Sequence, residues 1–190
     1  MIDGATGSET DGAADGGAAD AREPASASAV TDDDRATNVG EVVAVCVGTG
    51  GIPNHPVSSA RVDANGLEGD KHRYHLHGGP SRAVCLLSEE DVRSLENDGV
   101  EVGGPGAFGE NLLVRGLDRA ALRPGDRLAV GDEVVIELCE VREPCNTLKP
   151  LDRRFPDLMI GRSGWVCSVV VAGTLTAGQR VWRVGSTSTE

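Results

Sequence analysis

No apolar run in this 190-residue chain approaches membrane-spanning length, so a membrane partner is not expected. The N-terminus has neither a basic start nor an apolar stretch, which argues against a signal peptide. Lysine is nearly missing: only Lys71 and Lys149 stand against sixteen arginines, and the net charge is −12. That balance argues against a broad nucleic-acid surface, because phosphates are repelled. It also suits a protein that must stay dissolved in concentrated salt. There is no Cys-x-x-Cys pair and therefore little support for a zinc knuckle. The five cysteines are an odd number, which speaks against a disulfide framework and for a reducing cytoplasm. No Gly-x-Ser-x-Gly elbow is present, so the common serine hydrolase arrangement is excluded.

What is present falls into two parts. Residues 1–38 are almost wholly Ala, Gly, Asp, Ser, Thr and Glu, with large aliphatics only at scattered places such as Ile2 and Val30. Such a segment buries too little apolar surface to offset its ordering entropy, and it is expected to be disordered. Residues 39–184 form the domain, and 185–190 a flexible end. Within the domain, short apolar runs are divided by Gly, Pro, Asn and Asp. Strands are expected over 41–47, 59–62, 82–87, 111–114, 126–130, 134–139, 165–171 and 179–184. Gly131-Asp132 between two of them is a hairpin signal. The strands follow one another too closely for alternating strand–helix units, so the fold class is mainly β, a barrel or sandwich with one or two short helices. One helix is capped by Ser88, carries Glu89, Glu90 and Asp91 in its first turn, and ends at Gly99. A second helical turn is expected over 146–148, which would put Cys145 beside a helix N-terminus and favour its thiolate.

Cys145 differs from the other cysteines. Cys46, Cys85, Cys139 and Cys167 sit in apolar runs and read as small core residues, Cys139 least securely. Cys145 follows Pro144, has Arg142 three residues upstream, and begins a turn. A thiol there is either an exposed nucleophile or soft-metal ligand, or a half-buried loop residue without a role. The densest polar segment is 66–82, which holds Asp70, Lys71, His72, Arg73, His75, His77 and Arg82 among four glycines. It reads as a cationic loop for an anionic group, phosphate above all, or more blandly as a solvated surface loop. A zinc site on His75 and His77 lacks further ligands at a recognised spacing. Asp70 is either a general acid–base or an anchor for Arg73 or Arg82. In the glycine-rich stretch 103–112, Glu110 and Asn111 either line a pocket or form a structural hinge, and Phe108 reads as a core plug.

Three blocks fall in order along the chain: Gly66-x-x-Gly69-Asp70 with His77-Gly78-Gly79-Pro80-x-Arg82-Ala83-Val84, then Gly106-x-Phe108-Gly109-Glu110-Asn111-Leu112, then Arg142-x-Pro144-Cys145. Their order and spacing resemble the MOSC domain family, related to the C-terminal domain of molybdenum cofactor sulfurase. Leu122-Arg123-Pro124-Gly125-Asp126 and Val130-Gly131 add to the likeness, which spans about residues 41–184. The resemblance implies a barrel-like β domain and a molybdenum cofactor (molybdopterin), with Cys145 as metal ligand or persulfide carrier. Read together with the cationic loop, it makes Lys71, Arg73, His77, Arg82, Glu110, Asn111 and Arg142 the expected cofactor-binding residues and Cys145 and Asp70 the expected catalytic ones. Relatives reduce N-hydroxylated or N-oxide compounds with electrons from a separate donor protein. The other readings are a sulfur carrier that receives persulfide from a sulfur donor, and a non-catalytic cofactor-binding module. The pyridoxal-phosphate-binding portion of the full sulfurase has no counterpart, so that cofactor is not expected.

Overall fold

The computed structural model describes residues 38–72 and 78–184. The acidic tail up to residue 37, the C-terminal residues 185–190, and Arg73, His75 and His77 lie outside the described residues.

Among the described residues, eleven strands and one α-helix follow in chain order: β1 (Asn38–Val47), β2 (His55–Val57), β3 (Ser59–Asp63), β4 (Gly66–Leu67), β5 (Val84–Ser88), α1 (Glu89–Asn97), β6 (Leu112–Arg115), β7 (Arg127–Val130), β8 (Val134–Val141), β9 (Trp165–Val171), β10 (Gly173–Thr176) and β11 (Arg180–Val184). Seven of them close a barrel in the order β1, β11, β7, β8, β9, β5, β6 and back to β1. Glu41 stands at the closure, opposite Arg180 on one side and Arg115 on the other. All neighbours in the barrel are antiparallel except β5 and β6, which run parallel. A parallel pair needs a long crossover, and here α1 lies within it. β2 extends the edge of β1, while β10, β3 and β4 form a second, small sheet.

The barrel interior is aliphatic: Val42, Val45, Val84, Leu86, Leu112, Val114, Leu128, Ile136, Leu138, Cys167, Leu175 and Val181 are buried together. Each large side chain among them contributes about 1.5–3 kcal/mol by leaving water. A second core lies outside the wall, where Ala44, Cys46, Leu87 and Leu113 meet Val92 and Leu95 of α1 and the aromatic pair Phe108 and Phe155. Their rings stand edge to face with centroids 5.9 Å apart, a favoured aromatic geometry. β1, β5 and β6 are thus buried on both faces. This is why their sequences read as unbroken apolar runs and not as alternations. By contrast β8 alternates, with Val134, Ile136 and Leu138 inward and Val135 and Glu137 half-exposed.

Helix α1 begins as its sequence requires. The Ser88 hydroxyl accepts from the Asp91 amide at 3.3 Å, and three acids occupy the first turn. Asn146–Leu148 forms a single 3-10 turn of three residues. It is too short to offer Cys145 the N-terminus of a helix, and that expectation is corrected.

Candidate functional site

A cavity of about 140 Å³ opens on the outer face of the barrel wall. It lies where β5 and β6 begin and where β8 gives way to the segment after Val141. Its lining gathers distant parts of the chain: Asp70, Lys71, His72 and Arg82 from the cationic segment, Asn111, and Arg142, Glu143 and Cys145 from the end of β8. Gly51, Ile52, Asn54, Cys85, Gly109, Thr147, Leu148 and Val166 complete it. The described flanks of the cationic loop and the Cys145 segment therefore share one concavity.

Asn111 is the knot that holds these pieces together. It is almost wholly buried. Its side-chain amide donates to the Cys46 carbonyl at 3.2 Å and to Asp70 Oδ2 at 2.9 Å, while its Oδ1 accepts from the Cys85 amide at 2.9 Å. Its backbone amide and carbonyl bind the Cys85 carbonyl and the Cys46 amide, each at 2.8 Å. One side chain thus ties β1, β5 and the Asp70 turn at the start of β6. Asp70 Oδ1 accepts from the Gly48 amide at 2.5 Å. Gly48 has no room for a side chain, since a Cβ there would meet Asn54 Oδ1 at 2.6 Å. Both Asp70 oxygens are committed to amides, with His72 Nε2 at 3.8 Å from Oδ2. That is an anchoring arrangement; of the two arginines weighed from the sequence as its partners, Arg82 pairs instead with Glu140 at 2.8 Å, and Arg73 lies outside the described residues.

Glu110 does not line the cavity. It is buried, and its carboxylate accepts from the Gly106 amide at 2.5 Å and the Phe108 amide at 3.1 Å. Burial pushes its pKa up, against the pull of those amides and of Arg142. The structural hinge weighed from the sequence is the role that these contacts describe. Gly106 is a glycine of necessity: its φ is +87°, and a Cβ there would run into the Asn54 backbone.

Arg142 is clamped at both ends. Its amide donates to the Gly164 carbonyl at 3.0 Å, its carbonyl accepts from the Ser163 hydroxyl, and its Nη2 donates to the Phe108 carbonyl at 2.7 Å. Nη1 is buried and has no hydrogen-bond partner among the described residues. Cys145 is half-buried at the head of the 3-10 turn, in extended backbone.

One cavity residue escaped the sequence reading. Cys85 was expected in the core, yet it is half-buried and lines the cavity. Val84 and Leu86 face the barrel interior, so strand alternation turns Cys85 outward, where α1 does not cover it. Burial pushes its thiol pKa up, and the guanidinium of Arg142 pulls the other way. The alternation was the available signal, hidden inside the continuous run from Ala83 to Leu87. Cys46 and Cys167 are buried as expected, and burial drives the Cys46 pKa up to about 12. All five cysteines are free. Among the described residues no cluster of three or more His, Cys, Asp or Glu could hold a metal ion. No helix among them is long and apolar enough to cross a membrane.

Comparison with known proteins agrees with this architecture. A 128-residue stretch is 30% identical to a protein called "Reductase" from Gibberella moniliformis, covering 62% of this chain and 22% of that protein. A 97-residue stretch is 35% identical to the uncharacterized protein YflK of Bacillus subtilis, covering 50% of this chain and 43% of the relative. The chain therefore spans less than half the length of either. Among solved structures, YiiM from Escherichia coli superposes with a TM-score of 0.61 at 25% identity, over 78% of this chain and 72% of that one. The family model for the MOSC domain matches residues 73–182. That match begins in the cationic loop and takes in the Asn111 knot, the Arg142 clamp and Cys145. With the closed barrel that carries them, it places this chain in the MOSC domain family.

Proposed function

We propose that the chain binds a molybdenum cofactor in this cavity through Cys145, and that it reduces N-hydroxylated or N-oxide compounds with electrons from a separate donor. The observation that carries the reading is the shared cavity. A half-buried thiol lines the same space as a guanidinium whose buried Nη1 has no partner among the described residues. The donor set fits the group. Molybdopterin joins a soft metal–sulfur end to an anionic phosphate end; a thiolate suits the first, and Arg142, Arg82 and Lys71 suit the second. When bound, the cofactor supplies electron transfer at the metal.

The chain's own residues bind and orient. Cys145 is the sulfur donor, presented to the cavity from the head of its 3-10 turn. Lys71 is exposed and offers a mobile charge at the opening, whereas Arg82 is held by Glu140 and keeps a fixed one. Asp70 and Asn111 hold the wall, so that Lys71 and His72 stay opposite the Cys145 segment. The chain has no flavin, haem or iron–sulfur motif, so the electrons come from outside it. A relative called a reductase, 22% of whose length this chain matches, supports a reductive role.

Purification from a molybdate-fed host, with metal and pterin analysis, tests the reading. Wild-type protein is expected to carry molybdenum and pterin together, and Cys145→Ala to lose the metal while its melting temperature holds. Full turnover by protein free of both would sink the proposal. A cyanolysable sulfur on Cys145 in molybdenum-free protein would transfer the case to the sulfur carrier.

A further inference from the structure

Of the two arginines among the described residues of the cavity wall, Arg82 is tied to Glu140, and Arg142 keeps a donor in hand. The means by which Arg142 is held are specific. The Glu110 carboxylate gathers the amides of Gly106 and Phe108. The Gly109 amide closes the same turn on the Gly106 carbonyl at 2.9 Å. Phe108 is fixed by its buried ring against Phe155, and its carbonyl receives Arg142 Nη2. The remaining Nη1 is buried and has no partner among the described residues. A buried charged donor left without an acceptor is strongly unfavourable, so the arrangement is that of a receptor whose acceptor arrives through the cavity.

We propose that Arg142 is a built receptor for a compact oxyanion, its Nη1 donating to an anionic oxygen in the inner part of the cavity, and that Glu110 is the positioning residue that aims it through the Phe108 carbonyl. The inference rests on the cofactor reading for its biological ligand, but the chemistry is common to a phosphate ester and a free tetrahedral oxyanion. A volume of about 140 Å³ is ample for such a group. The neighbours do not repel an anion there. Cys85 remains a neutral thiol because burial holds its proton, and the Asp70 carboxylate is engaged by the Gly48 and Asn111 amides. Glu143 is exposed to solvent at the cavity edge, where water screens it.

The test uses the full chain purified from a host that makes no pterin, titrated calorimetrically at low salt with inorganic phosphate, molybdate and phenyl phosphate. Saturable one-to-one binding is expected. Arg142→Lys keeps the charge but cannot both hold the Phe108 carbonyl and present a second fixed donor, so it is expected to weaken binding about tenfold or more. Lys71→Ala is expected to weaken it less. Glu110→Gln keeps one acceptor for an amide and is expected to retain more binding than Glu110→Ala, with both below wild type. Binding of phenyl phosphate alongside phosphate identifies an esterified ligand, and its exclusion identifies a free oxyanion. The receptor is refuted if wild type shows no saturable binding, if Arg142→Lys binds like wild type, or if Lys71→Ala and Arg82→Ala each lose as much as Arg142→Lys. The positioning role falls if Glu110→Gln, with an unchanged melt, binds as wild type does. Molybdenum and pterin on native protein whose cofactor-free form ignores phosphate would leave the cofactor reading standing without the receptor. Phosphate held through Arg142 in a protein that never acquires pterin would do the reverse.

Discussion

Asn111 shows how much of this site depends on one neutral side chain. Its amide and carbonyl meet the Cys46 carbonyl, an Asp70 oxygen and the Cys85 amide in a nearly dry place. Asn111→Ala leaves three polar groups short of a partner, at about 1–3 kcal/mol for each that stays buried. The expected outcome is a loss of about 2–4 kcal/mol in chemical denaturation, together with loss of cofactor, because Lys71 and Cys145 no longer face each other. A stable Asn111→Ala protein that still loads pterin would show that the knot is dispensable. Cys145 and the arginines were legible from residue type and context: a proline-preceded thiol, and cations gathered in an acidic chain. Glu110 and Asp70 were harder, because a carboxylate in a glycine-rich loop looks the same whether it meets a ligand or its own backbone amides. Only the three-dimensional path of Gly106 to Gly109 and of Gly48 shows that both serve the backbone.

The elements tell a parallel story. All eight strands expected from apolar runs exist, because each buries at least one face in a core that only aliphatics fill. β2, β4 and β10 escaped notice because His-Pro-Val, Gly-Leu and Gly-Thr-Leu-Thr are short or polar and owe their conformation to pairing with neighbours. Helix α1 was readable from its cap alone. Ser88→Ala removes the acceptor for the Asp91 amide and also the hydroxyl that binds Glu90 at 2.7 Å, and it is expected to cost about 1 kcal/mol. Because α1 covers the outer core and not the cavity, phosphate binding by this variant is expected to match wild type. Thermal melts alongside calorimetry check the pair, and a large loss of binding would mean that α1 and the site are coupled. The covering of Leu87, but not of Cys85, on adjacent positions of β5 is a matter of where α1 packs. No local pattern in β5 records that.

At the scale of the whole molecule, three thiols sit at separate places in the two-sided wall: Cys167 buried in the barrel, Cys46 buried in the outer core, and Cys85 between them, half-buried at the cavity. Each has its pKa raised chiefly by burial, Cys46 to about 12 from an ordinary 9.0. The consequence for stability has a definite sign. Between the unfolded and folded pKa values, the native state binds more protons than the unfolded chain, so stability falls as pH rises. The thiols' contribution is complete below about pH 9 and is lost progressively above it, over the span up to about 12 for Cys46. The fold is therefore expected to be markedly weaker at pH 10.5 than at pH 8, with the decline steeper than one titrating thiol can produce. Cys46→Ala makes the check. It is expected to lower stability at pH 8, where a packed side chain is removed, and to flatten the alkaline slope, where an ionisable group is removed. Denaturant midpoints for both proteins between pH 7.5 and 11 measure the two effects separately. Parallel slopes for wild type and Cys46→Ala would mean that the wall admits solvent at Cys46, and with it that the outer core is looser than its packing implies.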